Sequence, residues 1–147
     1  MANRRQILQM IGGGAALGAG ALLAPPAMAK GNLAHDPVRL PELKIDTVDL
    51  KYSQTEYQLE TGKYYRMDIS VEDADDTAFV APDFFRNVWI NQIVVNDLEL
   101  KVQNPYSFEW DAAGTFNVSF VPIRPGEYEF SVAGYEDRGL KGKFVVK

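Results

Sequence analysis

Few side chains in this sequence are suited to binding a transition metal. The 147 residues include no cysteine, one histidine (His35) and four methionines. A blue-copper site needs a thiolate, two imidazoles and a weak axial ligand, and a structural zinc site needs four donors of similar types. The composition excludes both kinds of site. A looser copper or iron site made of His35, Met67 and carboxylates stays open, although Met67 also fits an ordinary core position on a strand.

Carboxylates are the other candidates for chemistry. Glu127 and Glu129 project from one side of a predicted strand, about 6.6 Å apart, which is not far from the spacing of paired catalytic acids. Outward acids on a strand are usually solvated, and the sequence has no nucleophile elbow. The acidic turn from Glu72 to Asp76 lacks the residue order of a calcium loop. We therefore expect no enzymatic activity, no catalytic residues, no cofactor and no specific metal site.

The strand that carries these two acids is predicted clearly. From Glu127 to Val132 polar and apolar residues alternate, which places Tyr128, Phe130 and Val132 on a buried face. Proline and glycine at positions 125–126 predict a turn just before this strand. After a short polar loop, residues 142–146 predict a closing strand.

The order of these C-terminal residues resembles the end of the cupredoxins, the small blue-copper β-sandwich proteins. In that family the loop between the last two strands carries three copper ligands in the order Cys, His, Met. Those positions fall here on Val132, Tyr135 and Leu140, so all three ligands are missing. The resemblance implies a Greek-key β-sandwich of cupredoxin type without a type 1 copper site. The framework residues that carry it are Phe120, Pro122, Tyr128, Glu129, Phe130, Glu136, Asp137, Arg138, Gly139, Lys141 and Gly142.

The rest of the chain fits an all-β sandwich. Alternation from Leu43 onward predicts about eight short strands, with turns about every 8 to 12 residues. The first strand is predicted to run from Leu43 to Tyr52 with a bulge, and residues 111–114 are predicted to form a hairpin-like turn. Between Phe79 and Val95 the apolar spacing predicts one short helix, with Asp83 as its cap.

The N-terminus predicts export. Arg4-Arg5, an apolar run rich in glycine and alanine, and a small-residue cleavage site resemble a twin-arginine signal peptide cleaved after Ala29. Retention as a membrane anchor is the alternative, but the run is shorter than the ~20 residues of a spanning helix. We divide the chain into the signal peptide (1–29), an extended leader (30–41) and the cupredoxin-like domain (42–147).

Net charge narrows the choice of partners. Cleavage would remove two arginines and no acid, so the formal charge would change from −5 to −7. Nucleic acids and anionic lipids repel such a chain, and we expect it neither to bind nucleic acid nor to insert into a membrane after cleavage.

We therefore expect a periplasmic, non-enzymatic, copper-free protein that binds another periplasmic or membrane-associated protein, as an accessory subunit of a redox or metal-handling system. The alternative is a metal-ion carrier that uses His35 and Met67. The predicted partner-binding residues form two groups, Tyr135, Glu136, Asp137, Arg138 and Leu140, and secondly Phe84, Phe85, Arg86 and Trp89.

Overall fold

The computed structural model describes residues 33–74 and 76–147, and these residues form an all-β sandwich of two sheets. The predicted fold class is therefore confirmed. The predicted signal peptide lies outside the described residues. The elements are β1 (Val38–Arg39), β2 (Leu43–Asp46), β3 (Lys51–Tyr52), β4 (Glu56–Leu59), β5 (Tyr65–Val71), β6 (Thr77–Val80), α1 (Pro82–Arg86), β7 (Val88–Val95), β8 (Leu98–Leu100), β9 (Ser107–Trp110), β10 (Gly114–Pro122), β11 (Gly126–Val132), a 3-10 turn (Glu136–Arg138) and β12 (Lys141–Val146).

Each sheet buries one face against the other. The first sheet has the order β3-β2-β5-β10-β7-β8, with β1 also paired to β5, and the second has the order β4-β12-β11-β6-β9. The predicted alternation is confirmed in β11, where Tyr128, Phe130 and Val132 are buried. The core is rich in aromatic rings, and Phe130 contacts the rings of Tyr52, Phe79 and Phe144 among others. Part of the predicted leader also joins the fold, because β1 pairs in parallel with β5.

The predicted helix is shorter than expected. The prediction extended it through Trp89 and Gln92, but residues 88–95 form strand β7. A register shift opposite Ser119 and Phe120 leaves one extra residue in β7, so Ile90 and Ile93 both face the core at a spacing of three. The helical spacing that predicted the longer helix joins core residues of two different elements, Phe85 of α1 and Val88 of β7. Asp83 is not the cap either, since it lies inside α1 and pairs with Arg86 at 2.8 Å.

Two predicted turns have different roles in the structure. The run from Leu43 to Tyr52 is a pair of antiparallel strands, β2 and β3, and not one bulged strand. Leu50 has a φ of 53° in the turn between them, where the Asp46 carboxylate accepts the backbone N–H groups of Val48 and Asp49. Residues 111–113 join β9 to β10 in the other sheet, so they form a crossover and not a hairpin.

No helix in residues 33–74 and 76–147 is long and apolar enough to cross a membrane.

Candidate functional site

Five connections meet at one end of the sandwich, which we call the loop end. They are β2–β3, β5–β6, β7–β8, β9–β10 and β11–β12. Strand register places them together: Val71 at the end of β5 lies beside Ile45 and Gly114, and Val132 at the end of β11 lies beside Phe79. The β11–β12 loop, residues 133–140, contains the first group of predicted partner-binding residues.

This loop folds back on itself. The Val132 N–H donates to the Leu140 carbonyl at 3.2 Å, and the N–H groups of Arg138 and Leu140 both donate to the Tyr135 carbonyl. Gly139 closes the 3-10 turn with a φ of 103°, a left-handed conformation that glycine adopts without steric cost. The short loop therefore has a fixed shape.

The three positions at which the resemblance places copper ligands hold carbon and a phenol. Val132 and Leu140 are fully buried, and Tyr135 packs partly buried against the core. The Tyr52 hydroxyl donates to the Leu140 carbonyl at 3.1 Å, which fixes the loop to β3. Burial raises the pKa of the Tyr52 phenol, and the negative charge of Glu136 raises it further. This end of the core is packed with hydrocarbon.

The exposed part of the loop is smaller than predicted. Asp137 and Arg138 are exposed, Glu136 is half-buried, and the Arg138 guanidinium lies 5.2 Å from the centre of the Tyr135 ring. A cation over an aromatic face is attracted by the negative charge of that face. Leu140 cannot contact a partner, because its side chain lies entirely in the core. That part of the prediction is wrong.

Acidic residues lie on each of the five connections at the loop end. The described acids of the loop end are Asp46, Asp49, Glu72, Asp73, Asp76, Asp97, Asp111, Glu136 and Asp137. Lys51 pairs with Asp49 and Asp46, and a backbone hydrogen bond from Asp49 lowers the pKa of the Asp46 carboxyl, with Lys51 lowering it further. The Thr47 hydroxyl donates to the Asp73 carbonyl, which joins two of the connections. Val48, at the tip of the β2–β3 turn, is 71% exposed.

Two of the four residues of the second predicted surface belong to the core. Phe84 and Phe85 are 1% and 2% exposed, so they cannot form a docking patch and that part of the prediction is also wrong. The reason is that β6 pairs with only the last two residues of β11, and α1 fills the space beyond with its phenylalanines. Arg86 is exposed, and Trp89 is 40% exposed on the outer face of β7.

The remaining candidates do not converge on a site. Met67 is 2% exposed in the core and pairs across to Val118, whereas His35 is exposed before β1, so the two do not share an accessible surface. In the part of the chain that the structure describes, no group of three or more His, Cys, Asp or Glu residues is placed to hold a metal. Glu127 and Glu129 line an open groove beside α1, and Lys143 pairs with Glu127 at 3.2 Å.

Comparisons with known proteins support the fold alone. No protein-family model matches the sequence, and no curated protein matches it. Among solved structures, the copper-containing nitrite reductase of Thermus scotoductus is similar with a TM-score of 0.56 at 14% identity, over 78% of this chain and 32% of that one. A laccase from Pediococcus acidilactici is similar with a TM-score of 0.56 at 6% identity, over 80% of this chain and 28% of the laccase. A laccase-like multi-copper oxidase from Ochrobactrum is similar with a TM-score of 0.54 at 10% identity, over 76% of this chain and 31% of the oxidase.

These likenesses agree with the predicted architecture. The chain spans about a third of the length of each of these three proteins, so it is similar to one domain of a larger molecule. The fold is therefore cupredoxin-like, as the C-terminal motif predicted.

Proposed function

We propose that this protein is a copper-free, non-enzymatic binding module of the periplasm, which serves as an accessory subunit of a redox or metal-handling system. The observation that carries the proposal is the packing at the three former ligand positions. Val132 and Leu140 fill the interior with hydrocarbon, while the residues between them keep an exposed, conformationally fixed loop. This end of the sandwich therefore exposes a loop that a partner could contact, while the positions beneath the loop offer no ligands for a metal.

The charge of the loop end favours a basic partner. Glu136 and Asp137 lie among further acids of the neighbouring connections, and Arg138 is held against the Tyr135 ring. An acidic surface attracts a basic one and speeds its encounter, while contacts with apolar groups such as Tyr135 and Val48 supply short-range affinity. We therefore propose a partner protein whose docking patch carries lysines or arginines around an apolar centre.

Metal content gives the first test. We expect the mature protein, purified from its native periplasm without chelators, to contain well under one equivalent of copper, iron or zinc by elemental mass spectrometry. The physical reason is that the chain has no cysteine and only one histidine, which lies outside the core. A stoichiometric metal that is lost on His35→Ala would contradict the proposal and support the carrier function instead.

Charge reversal at the loop end gives the second test. The variant combines Tyr135→Ala, Glu136→Lys and Arg138→Glu, which leaves net charge unchanged but inverts the local pattern. We expect it to bind the native partner at least about tenfold more weakly, measured on the partner that cross-links to the wild-type protein in the periplasm.

The matched control for this test lies at the opposite end of the sandwich. Glu60 and Lys63 form an exposed ion pair at 3.1 Å, and the double variant Glu60→Lys, Lys63→Glu also conserves net charge. This control should bind as the wild type does. Equal loss in both variants, or no loss in either, would sink the assignment of the loop end.

A further inference from the structure

The edge strand β8 and the two residues that follow it expose an apolar stripe. Leu98, Leu100 and Val102 are 69%, 44% and 42% exposed, and they alternate with Glu99 and Lys101. Strand β8 pairs with β7 on one side and is the last strand of its sheet, so no described strand covers its other side. Such an edge presents unpaired backbone N–H and C=O groups that can accept another strand.

The turn before β8 determines which residues point to the free edge. Asn96 and Asp97 have φ angles of 45° and 67°, and Val95 pairs with Leu98 across them. Residues that flank a two-residue turn of this kind share a hydrogen bond. Because hydrogen bonds alternate along an antiparallel pair, the backbone groups of Leu98 and Leu100 point to β7, and those of Glu99 point outward. The same alternation, continued one residue past the end of β8, points the backbone groups of Lys101 outward as well.

We propose that the free edge of β8 binds the same edge of a second copy of this chain, antiparallel, with Leu100 on the two-fold axis. Two strands can pair across this edge only through residues whose backbone N–H and C=O groups point outward, and these residues must lie opposite each other as hydrogen-bonded pairs. The nearest registers therefore oppose Glu99 to Glu99, Lys101 to Lys101, or Glu99 to Lys101. The first two place like charges opposite each other, which destabilises a strand pair, whereas the third matches opposite charges twice.

The side chains suit this register. The Lys101 ammonium lies 3.2 Å from the Glu99 carboxylate and donates to Gln92 at 3.0 Å, so both charges are already held on one face of the strand. Rotation about the two-fold axis brings each charge beside its opposite in the second copy. On the other face Leu98 meets Val102 of the second copy, and the two apolar stripes pack side by side. Since the interface is small, the dimer is weak and depends on concentration.

Charge variants test the register. In sedimentation velocity runs on the mature protein over a range of concentrations, Glu99→Lys and Lys101→Glu should each raise the dimer dissociation constant about tenfold or more. The double variant Glu99→Lys, Lys101→Glu should restore the wild-type constant, and an equimolar mixture of the two single variants should form a heterodimer. Glu99 and Lys101 are both exposed in the monomer, so the variants should fold normally.

A thiol scan gives a second, independent test, because the chain has no cysteine of its own. Leu100 of one copy would lie opposite Leu100 of the other in a non-hydrogen-bonded pair. The two Cα atoms of such a pair are about 4.5 Å apart, a distance that a disulfide bond can span. Leu100→Cys should therefore form a covalent dimer under mild oxidation, and Val102→Cys, whose copies lie about 13 Å apart along the strands, should not. A wild-type protein that stays monomeric at every concentration, a dimer that survives Glu99→Lys, or equal cross-linking of both thiol variants would overturn the proposal.

Discussion

Replacing Gly142 with alanine is expected to cost about 3 kcal/mol of unfolding free energy. A Cβ at this position would overlap Cζ of Phe130 and would lie 2.7 Å from the Thr55 carbonyl oxygen. The Phe130 ring is opposite Gly142 in the β11–β12 pair and is held by the rings of Tyr52 and Phe144, so it cannot move aside without disturbing the core. Urea unfolding followed by tryptophan fluorescence measures the loss.

Gly114→Ala provides the matched control. A Cβ there would have Trp110 Cδ1 at 3.6 Å as its nearest neighbour, an ordinary van der Waals contact, and Gly114 is also a strand residue. We expect this variant to change stability by no more than about 0.5 kcal/mol. Equal effects at the two glycines would mean that close packing of Phe130 on the β12 backbone is not what requires glycine at position 142.

This packing explains why the C-terminal motif predicted the fold without any copper ligands. Gly142 and Phe130 belong to the framework of the resemblance, and the structure shows them in contact across two core strands. The motif contains both Phe130 and Gly142 because the aromatic ring packs on the β12 backbone, which requires glycine at the position opposite the ring. This packing requirement does not involve a metal. The sequence could therefore predict the sandwich and its last two strands from local residues.

Other features depended on contacts that no local pattern encodes. The bulge in β7 is set by its pairing with β10, and in the sequence it placed Ile90 and Ile93 at a helix-like spacing. The acids of the loop end are dispersed over five connections, and only the topology brings Asp49, Asp73 and Glu136 to one end. The apolar residues of β8 alternated as a strand should, but their exposure follows from β8 being the last strand of its sheet.

The aromatic residues of α1 show the same limit of local patterns, because a cluster of aromatic side chains has the same sequence whether it faces a partner or the core. The centre of the Phe84 ring lies 3.9 Å from the centre of the Phe144 ring, and the two rings are stacked. The rings of Phe120 and Tyr128 also contact Phe84. Trp89, from the same predicted patch, keeps 40% of its surface exposed. The two side chains therefore differ in what their removal should affect.

Phe84→Ala is expected to lower the free energy of unfolding by about 4 kcal/mol, because it removes a fully buried ring and leaves a cavity between the sheets. Domains of this size are stable by about 5–15 kcal/mol, so the variant should begin to unfold at much lower urea concentrations. Trp89→Ala, the control, should cost about 1 kcal/mol, and Phe84→Leu should fall between the two. A large loss of stability in Phe84→Ala alone would show that α1 completes the core where β6 ends. If Phe84→Ala instead left stability unchanged but abolished partner binding, α1 would be a docking element.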